Sequence, residues 1–385
     1  MVAKSEPKLL GASPKQTRRT TRRTFLKAAA AVGGMAAAGT ATTAKAAAPI
    51  TMRFQSTWPT KDIFHEYAVD FARKVNEMSG GRLKIDVLPA GAVVKAFDLI
   101  DAVHKGILDG GHGVSAYWYG KNSAYSLFGT GPSFGMDANM LLGWFTYGGG
   151  RKLYDELQAA MKLNVAGFLY GPMPTQPLGW FKKEIKSAAD FKGLKYRTVG
   201  LSIDVFKELG AAVVALPGGE IVPALDRGLL DAAEFNNPSS DKLLGFPDVS
   251  KTYMLQSYHQ PLECFEVLFN KKKYDALPAD LKSIIFNAAQ ASSADMSWKA
   301  MDRYSADLQE MRSKMGVKVT KTPREILQAQ LKAWDVVVQR KSAENPLFAK
   351  ILESQKRWAE RVVGWSELTT VPNDLAYEHY FGKSA

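Results

Sequence analysis

Two stretches of this chain are written to one plan. Val87-Leu88-Pro89-Ala90-Gly91 leads through a helix-length segment to Gly106-Ile107-Leu108-Asp109, and Ala215-Leu216-Pro217-Gly218-Gly219 leads likewise to Gly228-Leu229-Leu230-Asp231. In each copy a strand-like run ends in Leu-Pro, glycine opens a loop, a helix follows, and Gly-x-Leu-Asp starts the next strand. A pattern used twice calls for two units of similar build. The length agrees, because single cores stop growing beyond about 250–300 residues and this chain has 385.

The rest of the body fits such units. Thr51–Thr57 alternates like a strand, with Met52, Phe54 and Ser56 on one face. Phe64, Tyr67, Ala68, Phe71 and Val75 then recur at helical spacing, and Gly80-Gly81 ends that helix. Leu83, Ile85 and Val87 form a second strand, Phe97, Ile100, Val103 and Ile107 a second helix, and Asp109–Val114 a third strand. Further strands are expected at Val165–Tyr170, Gly179–Lys183, Leu194–Val199, Tyr253–Tyr258 and Phe265–Asn270. Strands separated by helices imply α/β architecture with mostly parallel sheets. From Pro278 to Gly316 the apolar spacing is helical throughout. About 38 residues at ~1.5 Å each make ~57 Å, more than one lobe's width, so this helix is expected to span both. Helical pattern continues at 323–342 and 346–363.

The expected division is a leader at 1–46, a first lobe at 47–172 that regains a strand and helices from about 265–315, a second lobe at 173–264, and C-terminal helices at 316–385. The leader explains the charge. The chain carries +12, but its first 48 residues hold nine Lys+Arg and one acid, leaving 41 against 37 in the remainder. The basicity is therefore no argument for nucleic acid. Thr21-Arg22-Arg23-Thr24-Phe25-Leu26-Lys27, followed by weakly apolar Ala28–Ala38 and small-residue cleavage candidates near Ala46, is a twin-arginine export signal, placing the mature protein in the periplasm. One cysteine excludes a disulfide framework. No run approaches the ~18–20 apolar residues of a membrane span.

Chemical motifs are mostly missing. There is no phosphate-binding Gly-x-x-x-x-Gly-Lys, no Gly-x-Ser-x-Gly elbow, and the five histidines are isolated. No nucleophile–base pair can be nominated, and no organic cofactor site. One cluster remains. Leu194–Gly200 is a strand running into a turn and the helix Leu201–Leu209, which places Arg197 at a strand's carboxyl end, where α/β sheets bind ligands. A guanidinium there can grip a carboxylate through two parallel hydrogen bonds. Trp58, just past the first strand, is placed by the same rule to wall the cleft.

Arg197, Gly210-Ala211-Ala212, Leu216–Glu220 and Pro223-Ala224-Leu225-x-x-Gly228-x-x-Asp231-Ala232-Ala233-Glu234 together resemble the DctP-type substrate-binding proteins of TRAP transporters. The resemblance implies a two-lobed periplasmic binding protein fold with a hinge. It implies no enzyme but a receptor that closes on a small organic carboxylate and delivers it to a sodium-driven membrane permease. Gln176 with Gly179–Glu184, Tyr117–Lys121 and Gly148–Gly150 resemble the subgroup for 2-oxo monocarboxylates. From that subgroup Arg197 and Gln176 hold the substrate, with Tyr117 and Tyr119, on one strand face, beside it. Glu234, the Phe235 carbonyl and Gln260 hold a cation. Phe235 stands where the subgroup has tryptophan, and Gln260 where it has a second acid; the lost charge favours one Na⁺ over Ca²⁺. Glu263, three residues on, is a candidate to restore that charge. A homodimer is compatible with all this. The competing reading is an exported lyase or hydrolase using Glu234 as base.

Overall fold

The computed structural model describes residues 48–382; the expected leader lies outside them. Among the described residues eleven strands make two sheets. Sheet A, the centre of lobe A, contains β1 (Ile50–Ser56), β2 (Leu83–Leu88), β3 (Gly110–Gly113), β4 (Val165–Met173) and β10 (Glu263–Asn270), in the order β2-β1-β3-β10-β4. Sheet B, the centre of lobe B, contains β5 (Gly179–Phe181), β6 (Lys195–Arg197), β7 (Ala212–Val214), β8 (Ala232–Ala233), β9 (Thr252–Leu255) and β11 (Lys318–Lys321), in the order β11-β9-β5-β8-β6-β7.

The two Leu-Pro copies occupy equivalent places. β2 flanks β1 and β3 lies on the other side, all parallel. β7 flanks β6 and β8 lies on the other side, again all parallel. In each unit the proline-terminated strand is the sheet edge, where a missing N–H costs nothing to the ladder.

The sheets are mixed rather than mostly parallel. β10 runs antiparallel to β3 and β4, and β5 antiparallel to β8 and β9. The chain crosses between lobes at 174–178 and again at 256–262, and the strands entered after each crossover, β5 and β10, run opposite to the βα units. A second difference falls in the segment expected to be only helical: β11 leaves the long helix and pairs with β9 at the rim of sheet B.

The long helix runs Ala279–Lys314, 36 residues. Leu281, Ile285, Ala288, Ala289, Met296 and Ala300 bury into the core around sheet A, and Met311 into the core around sheet B. Both lobes share it. Three clasps hold the lobes face to face. Ser240 Oγ donates to Asp62 Oδ1 at 2.6 Å, Tyr119 OH to Asp204 Oδ2 at 2.6 Å, and Leu201 N–H to Thr130 Oγ1 at 3.3 Å. Gly200 has φ of +63°, and a Cβ there would lie 2.3 Å from Thr130 Oγ1. Only glycine lets the lobes approach this closely.

Asp62 caps the helix Ile63–Met78 through Phe64 N–H. Its second oxygen is buried without a donor, and burial raises its pKa from 3.8 to about 6. Across the lobes, burial and then the Asp62 charge raise the Asp241 carboxyl to about 7. A raised carboxyl favours the fold fully below the unfolded pKa and loses that contribution as pH climbs through the folded one. Asp62→Asn keeps Oδ1, with both its bonds, and removes the charge. We expect the variant to exceed the wild type in urea-unfolding free energy at pH 7 by up to about 3 kcal/mol, with the gap closing near pH 3.5. A gap independent of pH would show that Asp62 carries no burial cost.

Candidate functional site

Arg197 ends β6 and turns inward to 1 % exposure. Its Nε and Nη2 both donate to the Leu216 carbonyl, at 2.8 and 2.7 Å. Nη1 donates to the carbonyl and Oε1 of Glu234, at 3.0 and 2.9 Å. Leu216 opens the second Leu-Pro copy and Glu234 follows β8, the strand that copy leads into, so the repeated unit and its sequel supply both anchors. The two-pronged grip expected for a ligand carboxylate is thus partly spent: the Nε–Nη2 edge clasps Leu216. Phe235 lies 5.7 Å from the guanidinium carbon, its ring packed against Phe246.

Glu234 is fully buried. Desolvation pushes its carboxyl up, Arg197 pulls it down, and desolvation wins. Oε2 has no partner.

The two crossovers lie side by side, with Gln176 N–H donating to the Gln260 carbonyl at 3.2 Å. Gln176 Nε2 donates to Asn236 Oδ1 at 3.3 Å and Glu263 Oε2 at 3.2 Å. Gln260 Nε2 donates to the same Glu263 oxygen. Gln176 Oε1, Gln260 Oε1, Glu263 Oε1 and Asn236 Nδ2 are buried without partners. Burial, and then the Glu234 charge, push the Glu263 carboxyl well up. His259, on the same crossover, is buried and held neutral by desolvation, its pKa lowered to about 3.

Lobe A supplies an aromatic wall. Trp58 is buried against Phe64, Phe265 and Tyr117, and its indole N–H donates to His112 Nδ1 at 2.9 Å. His112 shares a 2.6 Å hydrogen bond with Tyr170. Burial raises the Tyr117 hydroxyl strongly, and the charges of Arg197, Glu263 and Glu234 act on it as well. Tyr117 and Tyr119 do not share a strand face, because Ser115–Trp118 is a 3-10 turn. Three residues per turn send neighbouring side chains apart. Tyr119 reaches the rim instead, bonded to Asp204 with Lys341 5.8 Å from its ring. The structure therefore brings Arg197, Gln176, Glu234, Phe235, Gln260, Trp58 and Tyr117 into one neighbourhood, and Tyr119 onto a lobe clasp.

Glu263 and Asn236 complete the polar set. A signal for Glu263 was present: it opens the strand Glu-Cys-Phe-Glu-Val-Leu-Phe-Asn, every residue of which is buried. A carboxylate in such a strand requires a partner. Alternation could not show where it points, because β10 is covered on both faces. Among the described residues no three His, Cys, Asp or Glu gather as a metal cluster. The oxygen donors here are two carboxylates and two amides, a set suited to hard cations.

Known proteins match this arrangement. The family model for bacterial extracellular solute-binding proteins, family 7 (DctP), matches residues 54–345. A monocarboxylate 2-oxoacid-binding periplasmic protein of Nostoc sp. is 32% identical over 338 residues, covering 87% of this chain and 90% of its own length. A TRAP periplasmic solute-binding protein from Pseudoalteromonas atlantica, solved with bound sodium and pyruvate, superposes with a TM-score of 0.79 at 33% identity, over 87% of this chain and 100% of that one. A TRAP transporter solute-binding protein from Bordetella bronchiseptica, a dimer with copurified calcium and picolinate at one active site, gives a TM-score of 0.81 at 30% identity, over 86% and 97%. This chain belongs to family 7 of the bacterial extracellular solute-binding proteins.

Proposed function

We propose that the protein is the periplasmic receptor of a TRAP transporter, exported by the twin-arginine route, which closes its lobes on a small 2-oxo or 2-hydroxy monocarboxylate and hands it to a sodium-driven permease. The carrying observation is one buried guanidinium beside buried oxygens that no protein donor satisfies: Glu234 Oε2, Gln176 Oε1, Gln260 Oε1 and Glu263 Oε1. Buried polar atoms are seldom left unpaired. A carboxylate serves Arg197, Tyr117 and Trp58 wall the ligand, and a cation serves the oxygens. The matched family is one of solute-binding proteins, which leaves the reading of Glu234 as a catalytic base without support.

Glu234, Gln260 and the Phe235 carbonyl would hold the cation. It would supply positive charge between Glu234 and the incoming carboxylate, which otherwise repel. Glu234 and one monocarboxylate against Arg197 leave a single negative charge, which Na⁺ neutralises. Glu263, when ionised, adds a second, which Ca²⁺ would balance. Both ions accompany organic anions in the related structures.

We further propose that a second copy covers two apolar surfaces. The C-terminal helices Pro346–Thr369 and Asn373–Phe381 and the turn between them expose Trp365, Leu368, Val371, Leu375, Tyr380 and Phe381. On another face, Tyr147, Phe286, Trp298 and Met301 line an open groove of about 660 Å³. Apolar patches of this extent on a soluble chain mark interaction sites.

Three measurements test these readings. Arg197→Lys should weaken pyruvate binding at least tenfold by calorimetry, because an ammonium cannot span Leu216, Glu234 and a ligand, and each hydrogen bond to a charged group is worth about 1.5–3 kcal/mol. Near-wild-type affinity would remove Arg197 from the site. Pyruvate should bind more tightly in NaCl than in choline chloride at equal ionic strength, with Glu234→Gln shrinking the difference. Equal affinity in both salts, rising toward pH 5, would replace the cation by a proton on Glu234. For assembly, sedimentation equilibrium should give a dimer for the mature chain and a monomer after truncation at residue 369 or with Trp298→Glu; a monomeric wild type would refute the second copy.

A further inference from the structure

A glutamine amide has two ends of nearly equal size, one a double donor and one an acceptor. Its neighbours decide which end faces a site. Gln176 and Gln260 stand on adjacent crossovers whose backbones are hydrogen-bonded. Both amide nitrogens converge on one atom, Glu263 Oε2. The second N–H of Gln176 goes to Asn236 Oδ1. Both amide oxygens are left buried and without donors.

Reversing either amide would set its oxygen against Glu263 Oε2, acceptor against acceptor, and would aim an N–H₂ group into the neighbourhood of Arg197. Each change is unfavourable in a dry site. The arrangement needs only an acceptor at Oε2: a carboxylate accepts most strongly, and the carbonyl oxygen of a neutral carboxyl still accepts. One side chain thus sets the polarity of two.

We infer that Glu263 is a positioning residue: by gathering the amide nitrogens of Gln176 and Gln260 it turns both amide oxygens outward, making this wall accept a cation or a ligand hydroxyl rather than a ligand oxygen. This rests on the receptor reading above and adds to it the group that sets cation dependence. Without Glu263 an amide can rotate and offer N–H directly to a 2-oxo group. The variant then binds with less need of a bridging ion.

The test uses the mature chain and pyruvate at several NaCl concentrations, with choline chloride holding ionic strength constant. Thermal melts in each salt without pyruvate run alongside. Partners that orient metal ligands typically contribute about 10–100-fold to metal affinity, so Glu263→Met, close in length and without either oxygen, should lose most of the sodium dependence and the sodium-induced rise in melting midpoint. Glu263→Gln removes the charge but keeps an amide oxygen able to accept from both glutamines, and should retain sodium dependence relative to Glu263→Met. A sodium response unchanged in Glu263→Met, or a folded Glu263→Gln no more sodium-dependent than Glu263→Met, overturns the inference. Should Glu263→Met fail to fold, Glu263→Asp, one methylene too short to reach both amides, takes its place in the same comparison with Glu263→Gln. A wild type that binds no pyruvate but keeps a sodium-dependent melt, lost in Glu263→Met, would refute the receptor reading for this ligand and leave the positioning role standing.

Discussion

A guanidinium taken out of water costs several kcal/mol, and the cost is recovered only if its charge and its donors are all answered. Arg197 is answered by three groups, and each comes from the second copy of the repeated unit or its sequel. The Leu216 carbonyl closes the strand run, the Glu234 carbonyl and carboxylate follow the next strand, and the Phe235 ring comes after them. Glu234 in turn stays buried because Arg197 is there. Removing either partner leaves the other charged and unpaired, which costs more than the pair is worth. The rest of the site inherits its position from this contact: β6, β7 and β8 hold their register around it, and the crossovers carrying Gln176 and Gln260 stand against its far side.

The lobes divide the work by chemistry. Lobe B presents charge and hydrogen-bonding groups from short strands whose ends point into the cleft. Lobe A presents rings, with Trp58, Phe64 and Phe265 packed edge to face and Tyr117 tilted against Trp58, and behind them a polar chain runs Trp58–His112–Tyr170. Desolvation holds His112 neutral, its pKa lowered to about 3, and lowers that of His65 as well. An apolar wall beside an anchored charge lowers the local dielectric and strengthens the electrostatic contacts made there.

Much of this was legible in the chain before folding. The repeated Leu-Pro unit gave two equivalent three-stranded cores, and the spacing over 278–316 gave a shared helix. Arg197 was placed by the carboxyl-end rule. What escaped was of two kinds. Local patterns of four or five residues do not separate a 3-10 turn from a strand, and Tyr117-Trp118-Tyr119 was read with the wrong period. Strand polarity after a crossover depends on which end of a distant sheet the chain enters, and no local pattern carries that. Glu263 shows the second: β10 enters sheet A antiparallel after a crossover, and because both its faces are buried the direction of Glu263 was settled only by meeting Gln176 and Gln260.

Arg197, Glu234, Gln176, Gln260 and Glu263 are each no more than 2 % exposed. With the lobes together, nothing reaches or leaves these groups by diffusion through the protein. Exchange then waits on the lobes parting, and the dissociation rate cannot exceed the frequency with which the Asp62–Ser240, Tyr119–Asp204 and Thr130–Leu201 clasps break together. Strong retention and quick hand-over are opposed in such a molecule. Any surface that pries the clasps apart from outside would shorten the dwell time of a ligand enclosed behind them without touching these buried groups.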